Sequence, residues 1–323
     1  MPSNKRRFLR LALIATVTAG FLWLFQRQAD LRAVLPGLAE LPAWSLFASL
    51  SALLANLGLV AVRWRVLLAA AGVQVGTGRL FVTVSAGAGV NNVLPARAGD
   101  VLRVESLRAG EGVPAFVLAG TLFAERLLDG LVLAAWLLVG TLVLGVGGPL
   151  LLTGIALSCG SALGVLLAAV ATSRPAALER LAARLPARVA PAATDFLAGL
   201  ASFRNRRALG VALSISAGVW LANLVLYVAV GAGLGLGAGL GGYLALEGVG
   251  NLALAVPGTA AGIGSFDYLT LMTARSLAVP EEAAAAYVLA VHAITVVPVT
   301  LLGLLLLGRA VPARSRIPAV EPA

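Results

Sequence analysis

The sequence predicts an all-α, polytopic membrane protein with about six full spans and two interrupted, re-entrant helical segments in an inverted-repeat arrangement. Three observations carry this. Hydrophobic residues make up 60% of the 323 residues and charged residues only 12%. With a mean hydropathy of +0.97, no water-soluble surface can be built from such a chain. Several apolar stretches approach or exceed the roughly 18 to 20 residues a helix needs to cross about 30 Å of hydrocarbon, and they are longer and more uniform than barrel strands. Finally, two of these stretches are broken by Gly, Pro and polar residues, one in each half of the chain.

The N-terminal KRRFLRLALIATVTAGFLWLF has the basic flank of a signal peptide, but its apolar part is long and no small-x-small cleavage site follows. It is read as an uncleaved first span over about 8–25. Span 2 covers about 43–62 and ends at Arg63, Trp64 and Arg65, an interfacial anchor pattern. Residues 80–94 are apolar but short and glycine-rich, and run into the polar stretch NNVLPARAGDVLR. Span 3 covers about 115–144 and span 4 about 149–171.

Residues 173–207 are polar and basic, with seven arginines against Glu179 and Asp195. Leu178, Leu181, Leu185 and Val189 recur at helical spacing beside them, which describes a basic amphipathic helix on an anionic membrane surface, broken at Pro186 and Pro191. Span 5 covers about 208–232. Residues 243–274 are interrupted by NLALAVPGTAAGIGSFD, and span 6, about 284–307, holds His292 and Pro298. The whole reads as one transmembrane domain over 1–310, with halves at about 1–145 and 149–310 and a disordered tail at 311–323.

The formal charge of +10 raises nucleic acid as a partner, but the positions of the basic residues answer it. With the N-terminus in the cytoplasm and both interrupted segments re-entrant, twenty of the 24 Lys and Arg fall on the cytoplasmic side, as the positive-inside rule requires. No nucleic-acid partner is therefore expected. The same topology makes the halves inverted repeats, the pattern of a transporter of the cytoplasmic membrane whose site lies near the midplane, both termini being cytoplasmic. Asn92, Pro95, Gly99 and Asp100 in one half correspond loosely to Asn251, Pro257, Gly264 and Asp267 in the other. With one cysteine, Cys159, and one histidine, a Cys/His zinc site is excluded and no cofactor is expected.

In the first motif Pro95 stops the incoming helix, Gly99 permits a turn, and Asp100 caps a new helix through Leu107. Free N–H groups there, with Arg97 and Arg103, suit a phosphate oxygen, while Asn91 and Asn92 bind further oxygens or cap the first half-helix. The competing reading makes both arginines interfacial residues paired with Asp100 and Glu105. Within span 3, Glu125 and Asp129 share a helix face and Arg126 reaches Asp129. Such charges need protein or water partners inside a membrane, and Arg97 or Arg103 is the expected one. In the second motif Gly258, Gly262 and Gly264 allow close backbone approach, beside Ser265 and Asp267 at a helix start; a simple turn is the alternative. Glu247 and His292 are single intramembrane polar groups, read as hydrogen-bonded structural residues or proton relays.

At NNVLPARAGDVLR, AERLLDGLVL and VPGTAAGIGSFD the chain resembles the flippase-like membrane domain of the lysylphosphatidylglycerol synthase/flippase family, over roughly residues 5–310. It departs from the family pattern at Asp100, usually Glu, at Ala260 and Ala261, usually Pro-Gly, and at Asp267, usually Glu. The resemblance implies binding or movement of a lipid with a charged headgroup, either an aminoacylated phospholipid or a polyprenyl-phosphate carrier. By position it implies roles for Asn92, Pro95, Arg97, Gly99, Asp100, Arg103, Glu125, Arg126, Asp129, Pro257, Gly262, Gly264 and Asp267. The soluble aminoacyl-transferring domain is not expected here, so the chain is read as no enzyme. The rivals are a non-transporting lipid-binding partner of a membrane glycosyltransferase or synthase, and an enzyme using Glu125 or Asp129 with Ser265 or His292. Single cysteines flanking 97–112 and 275–283 are expected to label from opposite membrane faces; labelling of both from one face defeats the topology.

Overall fold

The computed structural model describes residues 41–94, 97–145, 149–173, 185–186, 188–254 and 261–311. Span 1, Pro95, Pro257 and most of the basic stretch before 188 lie outside these residues. The described residues form ten α-helices: α1 (Ala43–Ala70), α2 (Thr77–Val93), α3 (Ala98–Glu111), α4 (Ala115–Val143), α5 (Pro149–Ser173), α6 (Ala190–Gly199), α7 (Arg206–Gly233), α8 (Gly239–Ala253), α9 (Ser265–Ser276) and α10 (Glu281–Ala310). Five of them, α1, α4, α5, α7 and α10, are long and apolar enough to cross a membrane. The protein is thus a multi-pass helical membrane protein.

Local chemistry sets several boundaries. Asn205 caps α7 by accepting hydrogen bonds from the Arg207 and Ala208 N–H groups, both at 3.1 Å. Gly112, at φ 68°, closes α3 in the left-handed conformation that glycine adopts without steric cost. Two expectations are corrected here. α1 does not end at Arg63: it continues to Ala70, because the residues beyond are Val66, Leu67, Leu68, Ala69 and Ala70, and Arg63 and Trp64 are buried rather than interfacial. Pro191 does not break a helix but stands in the first turn of α6, where its missing N–H costs nothing.

The long helices pack in antiparallel pairs. Ser45 of α1 bonds to the Ala229 carbonyl of α7, and Asn56 to that of Val219. Along α2 and α10, Arg79 bonds to the last carbonyls, Arg309 and Ala310, while Asn92 reaches Val296 and Thr300. α8 lies along α4 in the same way, with Gly140 close to Gly241 and Leu137 close to Gly248.

The interrupted segments are two helical hairpins. The start of α2 meets the end of α3 through Arg79, which bonds to Ser106 and lies 3.9 Å from Glu111. The start of α8 meets the end of α9 where Gly242 faces Leu277. Because α1 and α7 are antiparallel, the hairpins that follow them open at opposite ends of the bundle.

The first hairpin closes tightly because Gly99 lacks a side chain. A Cβ there would lie 1.8 Å from the Gly87 carbonyl oxygen. Gly99→Ala is expected to destabilise the protein by at least the ~1–3 kcal/mol typical of overpacking. Gly58→Ala, in α1 with nothing within 4 Å of the added carbon, should be neutral or stabilising. Thermal unfolding of the detergent-solubilised chain measures both.

Candidate functional site

Six charged side chains form a closed alternating ring. Arg63 donates two hydrogen bonds to Asp129, at 2.5 and 3.1 Å, and lies 3.6 Å from Glu125. Glu125 accepts a two-pronged bond from Arg103, at 2.9 and 3.0 Å. Arg103 lies 3.9 Å from Asp100, and Asp100 accepts from Arg126 at 3.0 and 3.2 Å. Arg126 closes the circuit at 3.9 Å from Asp129. The ring ties α1, α3 and α4 together. α7 joins through Ser216, which accepts from Arg63, and Trp220, whose indole N–H donates to Asp129.

Burial explains why the members must be paired. Arg63, Arg103 and Glu125 are all nearly inaccessible, and an isolated charge in that setting would be prohibitive. Trp64 forms the floor: the Arg103 guanidinium sits 4.2 Å from its ring centre, and its indole N–H is held by Thr121.

Above the ring lies a cavity of about 680 Å³ between the two hairpins. The first hairpin contributes Asn91, Asn92, Arg97, Asp100 and Arg103, and the second contributes Asn251, Ala261, Gly262 and Phe266. Helices α1, α4, α7 and α10 supply the remaining walls, with Asn56, Asn223, Tyr227 and His292 among them. Three arginines and three carboxylates cancel within the ring. Arg97 is the surplus cation: it is half exposed at 52% and approaches Asp100 only to 3.9 Å.

Arg97 also departs from expectation in its backbone. It is the N-cap residue of α3 and sits at φ 55°, a left-handed conformation costly for a side-chain-bearing residue. The expected Asp100 cap is not formed. Asn91 caps the helix instead, its Oδ1 accepting the Gly99 N–H at 2.7 Å, which leaves Asp100 in the first turn for Arg126.

The second hairpin uses the same plan with different chemistry. Asp267 is the third residue of α9, as Asp100 is of α3, and each helix is preceded by a residue of positive φ, Gly264 at 88° and Arg97. The matching positions are therefore Gly264 and Arg97, not Gly264 and Gly99. Asp267 accepts the Gly264 N–H at 2.8 Å and pairs with His292 on α10 at 2.6 Å. The other imidazole nitrogen lies 3.1 Å from the Ala261 carbonyl, which can only accept, so Nε2 carries a proton. Ser265 bonds to the Ala253 and Gly262 carbonyls and is buried.

Of the residues singled out from the sequence, Asn91, Asn92, Arg97, Asp100, Arg103, Glu125, Arg126, Asp129 and Gly262 line the cavity. Gly99, Gly264, Ser265 and Asp267 stand behind it as packing and hydrogen-bonding residues. Reading along the chain missed Arg63, Asn56, Ser216, Trp220 and Asn223. A signal existed: Ser49, Asn56 and Arg63 recur every seven residues in α1, as do Ser216 and Asn223 in α7, marking one polar stripe on each helix.

Fold and site together define a multi-pass helical membrane protein with a charged cavity between two interrupted helices. Residues 7–303 match the family model described as the lysylphosphatidylglycerol synthase TM region, and the chain belongs to that family. No curated protein matches it.

Removing one member of a buried ion pair strands the other, at a cost of about 3–5 kcal/mol. Arg63→Ala is expected to fall in this range, while Arg63→Met combined with Asp129→Leu should recover much of the loss. Denaturation in detergent tests this; a cost below about 1 kcal/mol for Arg63→Ala would show that the ring does not hold the helices.

Proposed function

We propose that the protein is a lipid translocase of the cytoplasmic membrane that holds a phosphate-bearing headgroup in the cavity between its hairpins. The headgroup belongs to an aminoacylated phospholipid or a polyprenyl-phosphate carrier. The observation that carries this reading is the charge balance: a ring that neutralises itself and, beside it, one guanidinium, Arg97, facing the cavity with only a distant carboxylate. An anionic headgroup completes that balance, and Arg97 offers it a planar two-pronged donor.

The packing supports the transport part. Each hairpin leans on the last long helix of the other half, α2 on α10 and α8 on α4, and the corresponding helices α1 and α7 run antiparallel. This packing supports our reading of the halves as inverted repeats. In our reading the hairpins dip into the bilayer from opposite faces, both termini are cytoplasmic, and rocking of the halves exposes the cavity to each side in turn. The acyl or prenyl chains stay in lipid throughout. No covalent chemistry is assigned to the chain, and a membrane glycosyltransferase or synthase is a partner it would supply.

Arg97→Gly separates function from folding. It relieves the positive φ and should raise stability by roughly 1 kcal/mol. The lost charge-assisted bonds, about 1.5–3 kcal/mol, should weaken binding of a phosphate lipid about tenfold or more. Native mass spectrometry with phosphatidylglycerol and a polyprenyl phosphate measures the affinity. Unchanged affinity for both would defeat the assignment, and binding without movement in liposomes would reassign the chain as a lipid-presenting partner.

A further inference from the structure

We infer that Glu247 is a proton-binding site loaded together with the anionic headgroup, which makes translocation a lipid–proton symport. This rests on the translocase reading above. Glu247 stands on α8, in the first arm of the second hairpin, and is completely inaccessible. One carboxyl oxygen accepts a hydrogen bond from Asn223 at 3.1 Å. The other is buried with no partner. No cation lies within ion-pair distance among the described residues, in contrast to every ring carboxylate.

The surroundings offer no other means of neutralising it. Its ionisable neighbours are the phenols of Tyr227 on α7 and Tyr287 on α10. On α4 the charges of Glu125, Arg126 and Asp129 are engaged in the ring, and on α9 Asp267 is held by His292. While the cavity is closed to water, a carboxyl in this setting is stable only with a proton bound.

Two of its neighbours reach the proposed headgroup site. Asn223 and Tyr227 both line the cavity, so Glu247 is one side chain behind its wall. A proton from cavity water adds to the carboxylate, forming an O–H bond; when the cavity opens to the other side, the same proton returns to water and the carboxylate re-forms. A phosphate in the cavity opposes a second negative charge beside it, so the loaded state keeps Glu247 neutral. In the empty state that opposition is gone, and the proton leaves when the opened cavity brings water to Asn223 and Tyr227. Anion and proton therefore travel in the same direction. The guanidinium–carboxylate pairs of the first half keep their charges throughout.

The test uses the full chain in phosphatidylcholine vesicles with trace nitrobenzoxadiazole-labelled phosphatidylglycerol, read by dithionite quenching of the outer leaflet. With the outside acidic, the wild type should accumulate label in the inner leaflet to at least a twofold excess over the outer. Glu247→Gln, which keeps the size and the Asn223 contact but cannot ionise, should show no excess, and Glu247→Asp should restore part of it. Infrared spectra at neutral pH with phosphatidylglycerol bound should show a protonated-carboxyl band in the wild type that Glu247→Gln lacks. Label that moves but equalises regardless of the gradient overturns the coupling and leaves the translocase reading standing. An excess in Glu247→Gln equal to that of the wild type overturns the assignment to this residue. No movement in the wild type overturns the translocase reading and the coupling with it, and the absence of the infrared band overturns the proton site independently of transport.

Discussion

The alternating ring of Arg63, Glu125, Arg103, Asp100, Arg126 and Asp129 is the constraint on which the architecture depends. Arg63, Arg103 and Glu125 are unaffordable alone at their depth, so the helices that carry them are held to a packing that pairs them. α1, α3 and α4 are brought to one point, and α7 is recruited through Ser216 and Trp220. The short α3, which has too little apolar surface to be held by burial alone, is held there by Arg103 and Asp100. The cavity exists because that fixed point stands between two hairpins whose glycines and asparagines leave the space unfilled.

The halves share geometry but not chemistry. In the first, the hairpin is fastened to α4 by guanidinium–carboxylate pairs. In the second, α9 is fastened to α10 by the buried Asp267–His292 pair and the more exposed Arg275–Glu281 pair, and a buried glutamate on α8 has no cation among the described residues. In the reading proposed above, the first hairpin supplies the anion site at Arg97 and the second carries the proton site at Glu247.

Positive φ occurs at three described residues other than glycine: Arg97, Ala261 and Ala278. Arg97 and Ala261 both adopt positive φ without being glycine, at 55° and 51°. Both line the cavity, and the Ala261 carbonyl accepts from His292. A conformation that glycine would adopt more cheaply carries at Arg97 a side chain that faces the cavity, which fits the binding role proposed above.

The spans were legible because twenty apolar residues in a row have few other uses, and the interruptions because Gly, Pro and Asn within such runs break the helical hydrogen-bond ladder. The polar residues of NNVLPARAGDVLR and AERLLDGLVL stood out for the same reason: an apolar background makes each charge conspicuous. Arg63 was conspicuous too, yet its place beside Trp64 and Arg65 imitates a helix end, and nothing local shows that the helix goes on. By itself, then, the sequence determined the class of protein, the positions of the breaks and most of the charged inventory, since these follow from transfer energies and backbone chemistry that act residue by residue. Only the tertiary structure decided which charge cancels which, that Arg97 is left over and that Glu247 has no cation, because pairing depends on distances between helices that lie far apart in the chain.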